Sequence, residues 1–155
     1  MATSKGNFTI TLLPKVAPLA VNNFVFLARH NYYKHIQFFR VIANYIIQTG
    51  DPTNTGFGGP GYTFRDEKIT LPYTPGVVAM ANSGPNTNGS QFFIVDGFSR
   101  AVTQLHGYTI FGRVTKGMNV VKKIANSPVV QSPSGELSQP IAPIWLKTVT
   151  IHESP

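Results

Sequence analysis

Residues 7–13 alternate Phe8, Ile10 and Leu12 with Thr9 and Thr11, and a period of two puts the three large apolar side chains on one face of an extended chain. A half-buried strand is predicted there. After Pro14 the period lengthens. Leu19, Asn23 and Phe26, with Ala20, Phe24, Leu27 and Ala28, recur at helical spacings. Pro18 suits a first helical position, where an N–H would have no partner in any case. The spacing predicts an amphipathic helix over 18–30. Short β-rich runs follow at 36–42, 45–49, 76–81, 91–95, 109–114 and 145–152, each bounded by Gly, Pro, Asn or Asp. A second helix is predicted over 117–125, where Met118, Val121, Ile124 and Ala125 share a face and Asn126-Ser127-Pro128 stops it.

About seven short strands with turn signals between them, and two helices, argue for a sheet that folds back on itself rather than a doubly wound one. The predicted class is all-β, a β-barrel with helical plugs. The stretches 50–61 and 82–90 are rich in Gly, Asn and Pro and lie between apolar strands, where a rigid scaffold carries its binding loops. Residues 129–143 are Pro/Ser-rich and read as a surface connection before the last strand.

Length and composition narrow this further. A chain of 155 residues is one domain, 1–155, too short for two. Hydrophobic residues at 42%, with 14 glycines and 12 prolines, make a turn-rich globule rather than a disordered chain. No apolar run is long enough to span a membrane. The start, Met1 to Gly6, has no basic region followed by an apolar one, so we expect neither a membrane protein nor a secreted one. The lack of cysteine excludes disulfides and thiol catalysis and suits a reducing compartment, the cytoplasm. A net charge of +7 raises the question of nucleic acid, but the basic residues are scattered and their longest run is Lys122-Lys123. A solvated basic surface, with no nucleic-acid partner, is expected.

Most familiar chemistries fail on spacing. Gly56-Phe57-Gly58-Gly59-Pro60-Gly61 matches a dinucleotide fingerprint in form, but Pro60 removes an N–H and Tyr62-Thr63-Phe64 reads as strand where a helix should begin. The four histidines lack metal-binding spacing and the six carboxylates are dispersed, so neither a metal site nor a paired-acid site is expected. Ser83 and Ser90 lie in Gly-rich loops without a nucleophile elbow. What stands out is polar chemistry inside apolar strands. Phe38, Arg40 and Ile42 share one face, as do Ile46 and Gln48, and burying an Arg or a Gln is costly unless something accepts or donates its hydrogen bonds. Two accounts fit. Arg40 is an internal cation paired with Asp51 or backbone carbonyls, or it lines a pocket of one cation, several amides and aromatics, with no acid, base or nucleophile. Such a pocket suits a neutral peptide.

At these residues the chain resembles the cyclophilins, the peptidyl-prolyl cis-trans isomerases. The family pattern F-H-R-[VI]-I-P-x-F-M-x-Q-G-G-D is met by the run from Phe38 to Asp51, and the block M-A-N-x-G-P-N-T-N-G-S-Q-F-F-I is reproduced from Met80 to Ile94. Matching extends from Gly6-Asn7-Phe8 through Asn22-Asn23-Phe24 and Tyr32-Tyr33 to Phe111-Gly112-Arg113-Val114 and Val149-Thr150-Ile151, nearly the whole chain. The resemblance implies a closed eight-stranded antiparallel barrel capped by two helices, with a substrate groove on its outer face. It implies an isomerase of X-Pro bonds, working without metal or cofactor on proline-containing segments of client proteins, as a monomer. Carried over by motif position, Arg40 is the catalytic guanidinium. Tyr45, Ile46, Phe93 and Leu105 line the proline pocket, with Tyr108 at its rim, while Gln48, Ala81, Asn82 and Gln91 hold the peptide.

The chain departs from the pattern at Phe39 for His, Ala43 for Pro, Tyr45 for Phe, Ile46 for Met and Thr49 for Gly. Gln104 stands where an aromatic residue or His is common, and Tyr108 where His is common. The resemblance therefore implies weak cyclosporin binding and an altered substrate preference. It also leaves an alternative, a catalytically weak proline-peptide binding module within a larger assembly.

Overall fold

The run predicted as one strand over 7–13 is divided in the computed structural model, which describes residues 1–154; the expected domain reaches one residue further, to Pro155, outside the described residues. After β1 (Ala2–Thr3), the chain forms β2 (Gly6–Asn7) and β3 (Thr9–Leu12), and the break between them is Phe8, whose ring is buried in the core. Helix α1 (Pro18–Arg29) begins at the predicted proline and buries Ala20, Val21, Asn23, Phe24, Leu27 and Ala28. Its N-cap, Ala17, has no capping side chain. Instead the Glu67 carboxylate accepts the N–H groups of Leu19 and Ala20, both at 2.9 Å, an anion where the helix dipole favours one.

There follow β4 (Ile36–Gln37), β5 (Arg40–Ile42), β6 (Ile46–Thr49), β7 (Val77–Met80) and β8 (Phe92–Val95), then α2 (Arg100–Thr103), β9 (Ile110–Lys116), α3 (Met118–Ala125), β10 (Val129–Gln131), β11 (Leu137–Pro140) and β12 (Trp145–Thr148). Six strands form one sheet in the order β3-β9-β7-β8-β6-β5, four a second in the order β2-β1-β12-β4, and β10 pairs with β11. All pairings are antiparallel. The molecule is mostly β, as predicted. Its hydrogen-bonded ladders form three open sheets, however, rather than one closed ring. Three further readings differ from expectation. The run at 36–42 is broken at Phe38-Phe39 between β4 and β5, so Phe38 is buried in the inner core with Val41 instead of sharing a face with Arg40, and Phe39 lines the same cavity as Arg40. The short α2 lies in a segment with too few periodic positions to signal it. Residues 129–143, expected to be a plain connection, contain the β10–β11 hairpin.

The large sheet is apolar on both faces. Val41, Ile47, Val78, Met80, Phe92 and Ile94 point inward to a core shared with Phe24 and Leu27 of α1 and Val121 and Ile124 of α3. Their neighbours in sequence, Ile46, Val77, Ala79, Phe93 and Val95, point outward into a second cluster, covered in part by Tyr45, Leu105 and Tyr108. Double burial explains why β7 and β8 read as continuous apolar runs rather than as an alternation. No described helix is long and apolar enough to cross a membrane.

Candidate active site

Register decides which polar groups meet. Arg40 on β5 stands directly opposite Gln48 on β6, and Gln48 opposite Phe93 on β8. With Arg40 and Gln48 side by side on the outer face, Arg40 Nη1 donates to Gln48 Oε1 at 3.1 Å. Gln48 Nε2 donates in turn to Gln91 Oε1 at 3.1 Å, and Gln91 Nε2 donates to the carbonyls of Gly56 and Gly58 at 3.0 and 2.9 Å. The chain of amides runs one way, and each orientation is fixed by the next partner. The Arg40 guanidinium also makes a bidentate pair with Glu136, Nε to Oε1 at 2.7 Å and Nη2 to Oε2 at 2.9 Å. Bonding to Glu136 raises the guanidinium's pKa against the opposing effect of burial. The same bond holds the Glu136 carboxyl below its ordinary range, with help from Ser138.

Asp51 is not the partner of Arg40. It is fully buried and organises the loop that receives Gln91, its Oδ1 accepting from the Thr53 N–H and hydroxyl, and its Oδ2 from the N–H groups of Thr55, Gly56 and Gly58. The Arg40–Glu136 pair lies on the wall of a cavity of about 1030 Å³, with the two side chains 30% and 37% exposed. The guanidinium is thus within reach of solvent. A second cavity, of about 740 Å³, opens on the other side of Gln48, between the 56–63 loop and the segment from Ala81 to Gln91.

The apolar part of the site lies on the same face. Ile46 and Phe93 are 2% and 3% exposed and form a floor. Above it stand Tyr45, Ala81, Leu105 and Tyr108, all half-buried. Tyr108 meets Phe93 edge-on at 5.2 Å, and the Arg40 guanidinium carbon lies 5.9 Å from the Tyr45 ring centroid. Backbone contacts hold these groups in place. The turn before Tyr45 is pinned where the Asn44 N–H donates to Asp96 Oδ2 at 2.8 Å and the Asp96 N–H to the Tyr45 carbonyl at 2.8 Å. The Tyr73 hydroxyl clamps Tyr108, donating to its carbonyl at 2.6 Å and accepting its N–H at 2.9 Å. Ala81 donates its N–H to the Gln91 carbonyl at 3.0 Å. The Asn82 side chain ties down Gly107 and Gly84, while its own N–H and C=O have no backbone partner among the described residues. Among the described residues no group of three or more His, Asp or Glu is placed to hold a metal ion.

The family model described as cyclophilin type peptidyl-prolyl cis-trans isomerase/CLD matches residues 1–150. The chain belongs to this family of isomerases. Among cyclophilin relatives it is 40% identical to peptidyl-prolyl cis-trans isomerase-like 3 of Dictyostelium discoideum, over 99% of this chain and 94% of that protein. It is 46% identical to an isomerase-like 1 protein of Aspergillus oryzae, over 79% of this chain and 78% of that one. A crystal structure of a Cryptosporidium parvum cyclophilin type isomerase, in the presence of the dipeptide Ala-Pro, superposes with a TM-score of 0.88 at 37% identity, covering 99% of this chain and 98% of that one. The activity of this cyclophilin is isomerisation of peptidyl-prolyl bonds.

All ten residues expected in the site, Arg40, Tyr45, Ile46, Gln48, Ala81, Asn82, Gln91, Phe93, Leu105 and Tyr108, come to one outer face of the large sheet and its flanking loops. Ile46 and Phe93 lie lower than pocket walls would. Sequence reasoning missed three groups: Asp51 as organiser of the 53–58 loop, Tyr73 as clamp on Tyr108, and Glu136. The only sign of Glu136 was Ser132-Pro133-Ser134-Gly135, a turn signal between two short runs with Val129-Val130 on one side and Leu137 on the other.

Proposed function

We propose that this cyclophilin rotates X-Pro bonds in segments of client proteins by binding the twisted amide more tightly than either planar form, with Arg40 as the donor. Amide resonance sets a barrier of about 18–20 kcal/mol, so uncatalysed rotation takes tens to hundreds of seconds. As the bond twists, resonance is lost and the prolyl nitrogen gains a lone pair that neither ground state has. A hydrogen bond to that lone pair acts only in the transition state.

One observation carries the assignment: a partly exposed guanidinium stands beside Tyr45 at the edge of the apolar cluster of Ile46, Phe93, Leu105 and Tyr108, with an amide relay behind it. A charge-assisted hydrogen bond contributes roughly 1.5–3 kcal/mol, whereas bringing tens of seconds to milliseconds requires about 5–6 kcal/mol. Arg40 alone is insufficient. The prolyl ring docks over Ile46 and Phe93 between Tyr45, Leu105 and Tyr108, which excludes water and strengthens the bond. Gln48, Gln91, Ala81 and the free backbone groups of Asn82 hold the chain on the other side of proline, so one part turns while the other stays fixed.

The experiment is a protease-coupled assay on an X-Pro peptide with wild type and Arg40→Ala. A loss of two or more orders of magnitude in kcat/KM is expected. Equal rates would remove Arg40 from the chemistry and leave the apolar patch as a binding module.

We also read the two larger sheets as one eight-membered barrel. In support, residues 6–12 run from β2 in one sheet into β3 in the other, and residues 36–42 from β4 into β5, so two bent strands bridge both sheets. Weak cyclosporin binding is part of the proposal, supported by exposed Gln104 at the end of α2 beside Leu105. So is a cytoplasmic monomer as the working state.

A further inference from the structure

Arginine has five N–H donors, and three of those of Arg40 are engaged: Nε and one on Nη2 with Glu136, one on Nη1 with Gln48. The two left over sit one on each terminal nitrogen. We propose that Glu136 is a positioning residue of the isomerase, its carboxylate clamping the Arg40 guanidinium from the side opposite Gln48 so that the uncommitted N–H groups meet the twisting prolyl nitrogen. The inference rests on the reading of Arg40 as the donor.

Three features support a clamp rather than a chance surface pair. The contact is bidentate, which fixes the plane of the guanidinium as well as its position. Glu136 is itself held: its carbonyl accepts the Ser132 N–H at 2.7 Å, and Gly135, at φ +88°, turns the chain so that β11 returns beside β10. It is also the only charged residue in 129–143, so the hairpin delivers one carboxylate, to one arginine, on the wall of a large cavity. Without Glu136, a long flexible side chain beside about 1030 Å³ of open space would keep a single hydrogen bond, to Gln48. A misplacement of about 1 Å at a reacting group can cost two orders of magnitude in rate.

The test separates kcat from KM for the full chain, on an X-Pro peptide, in wild type, Glu136→Ala, Glu136→Gln, Arg40→Ala and the Arg40→Ala/Glu136→Ala double variant. A group that orients a transition-state donor should act on kcat. The expected result for Glu136→Ala is about a tenfold fall in kcat with KM within about twofold. Glu136→Gln, isosteric and still able to accept one bond, should lose less, and if the alanine variant does not fold, the glutamine variant carries the test. In the Arg40→Ala background the Glu136 change should have no further effect. Rates at or above wild type in both Glu136 variants would overturn the clamp and make the carboxylate a mere neutraliser of Arg40. An unchanged loss in the Arg40→Ala background would make the effect structural and overturn it equally. Both outcomes leave the assignment of Arg40 standing, whereas an Arg40→Ala variant as fast as wild type removes that assignment and the clamp together.

Discussion

Gln48 accepts from Arg40 on one side and donates to Gln91 on the other, so it transmits the position of a loop to the position of a charge. Gln48→Leu keeps the bulk and deletes both bonds. With one lost contact amounting to about 1.4 kcal/mol, the coupled assay should read about a tenfold fall in kcat/KM, with little change in thermal midpoint because the site is half-exposed. Tyr33 does the opposite kind of work. Its ring is 1% exposed, and its hydroxyl donates to the Ser90 carbonyl at 2.9 Å, just before Gln91. Burial pushes its phenol pKa well up, so it remains a donor. Tyr33→Phe leaves that carbonyl without its donor and should cost about 1–2 kcal/mol in urea unfolding. Arg40 and Gln48 were legible in the sequence because polar groups amid apolar strand positions demand partners. Glu136 was not, because a glutamate in a Pro/Ser-rich stretch looks like any solvated acid.

At the scale of elements, the N–H groups of the loop after β6 converge on one carboxylate, that of Asp51. Burial alone would raise the pKa of Asp51, but hydrogen bonds from Thr53, Gly58 and Gly56 outweigh it and leave it lowered. A depressed folded pKa contributes stability above the unfolded value of about 3.9, and that contribution disappears as the pH falls through the folded one. Urea titrations from about pH 5 downward should therefore show wild-type stability falling, and a flatter curve for Asp51→Asn, with a lower starting value. Gly50 makes the same junction tight. Its φ is +99°, and a Cβ there would lie 2.4 Å from the Ser90 carbonyl oxygen. Gly50→Ala should destabilise by about 2–3 kcal/mol or more, and should raise KM by parting the end of β6 from Gln91. Helices α1 and α3 and strand β3 were readable from their periods, since each period reports which face is buried, whereas the four-residue α2 was not and β7 and β8 showed only as continuous apolar runs. The β10–β11 hairpin was not, because Ser138 and Pro140 break any alternation, and its pairing depends on the turn and on packing against β5.

Across the whole molecule, the outer site depends on an inner core it never touches. Phe24 of α1 packs on Tyr33, Phe92 and Phe111 at 5.2, 5.5 and 5.4 Å, and Phe92 alternates with site residue Phe93 on β8. Phe111→Ala, at a position with no exposure, should cost about 3–5 kcal/mol in denaturant unfolding, while kcat/KM under conditions where the variant is folded stays near wild type. By itself the sequence determined the β-rich class, the first helix, and the sharing of a face by Arg40 with Ile42 and by Gln48 with Ile46, because all of these are carried by neighbours a few positions apart. Only the tertiary structure decided that Glu67 caps α1 from 48 residues away, that Glu136 grips Arg40 across 96 residues, and that the ladders end in open edges. Such contacts are formed when distant loops close onto a packed sheet, and local periodicity holds no record of which loop will arrive at which edge.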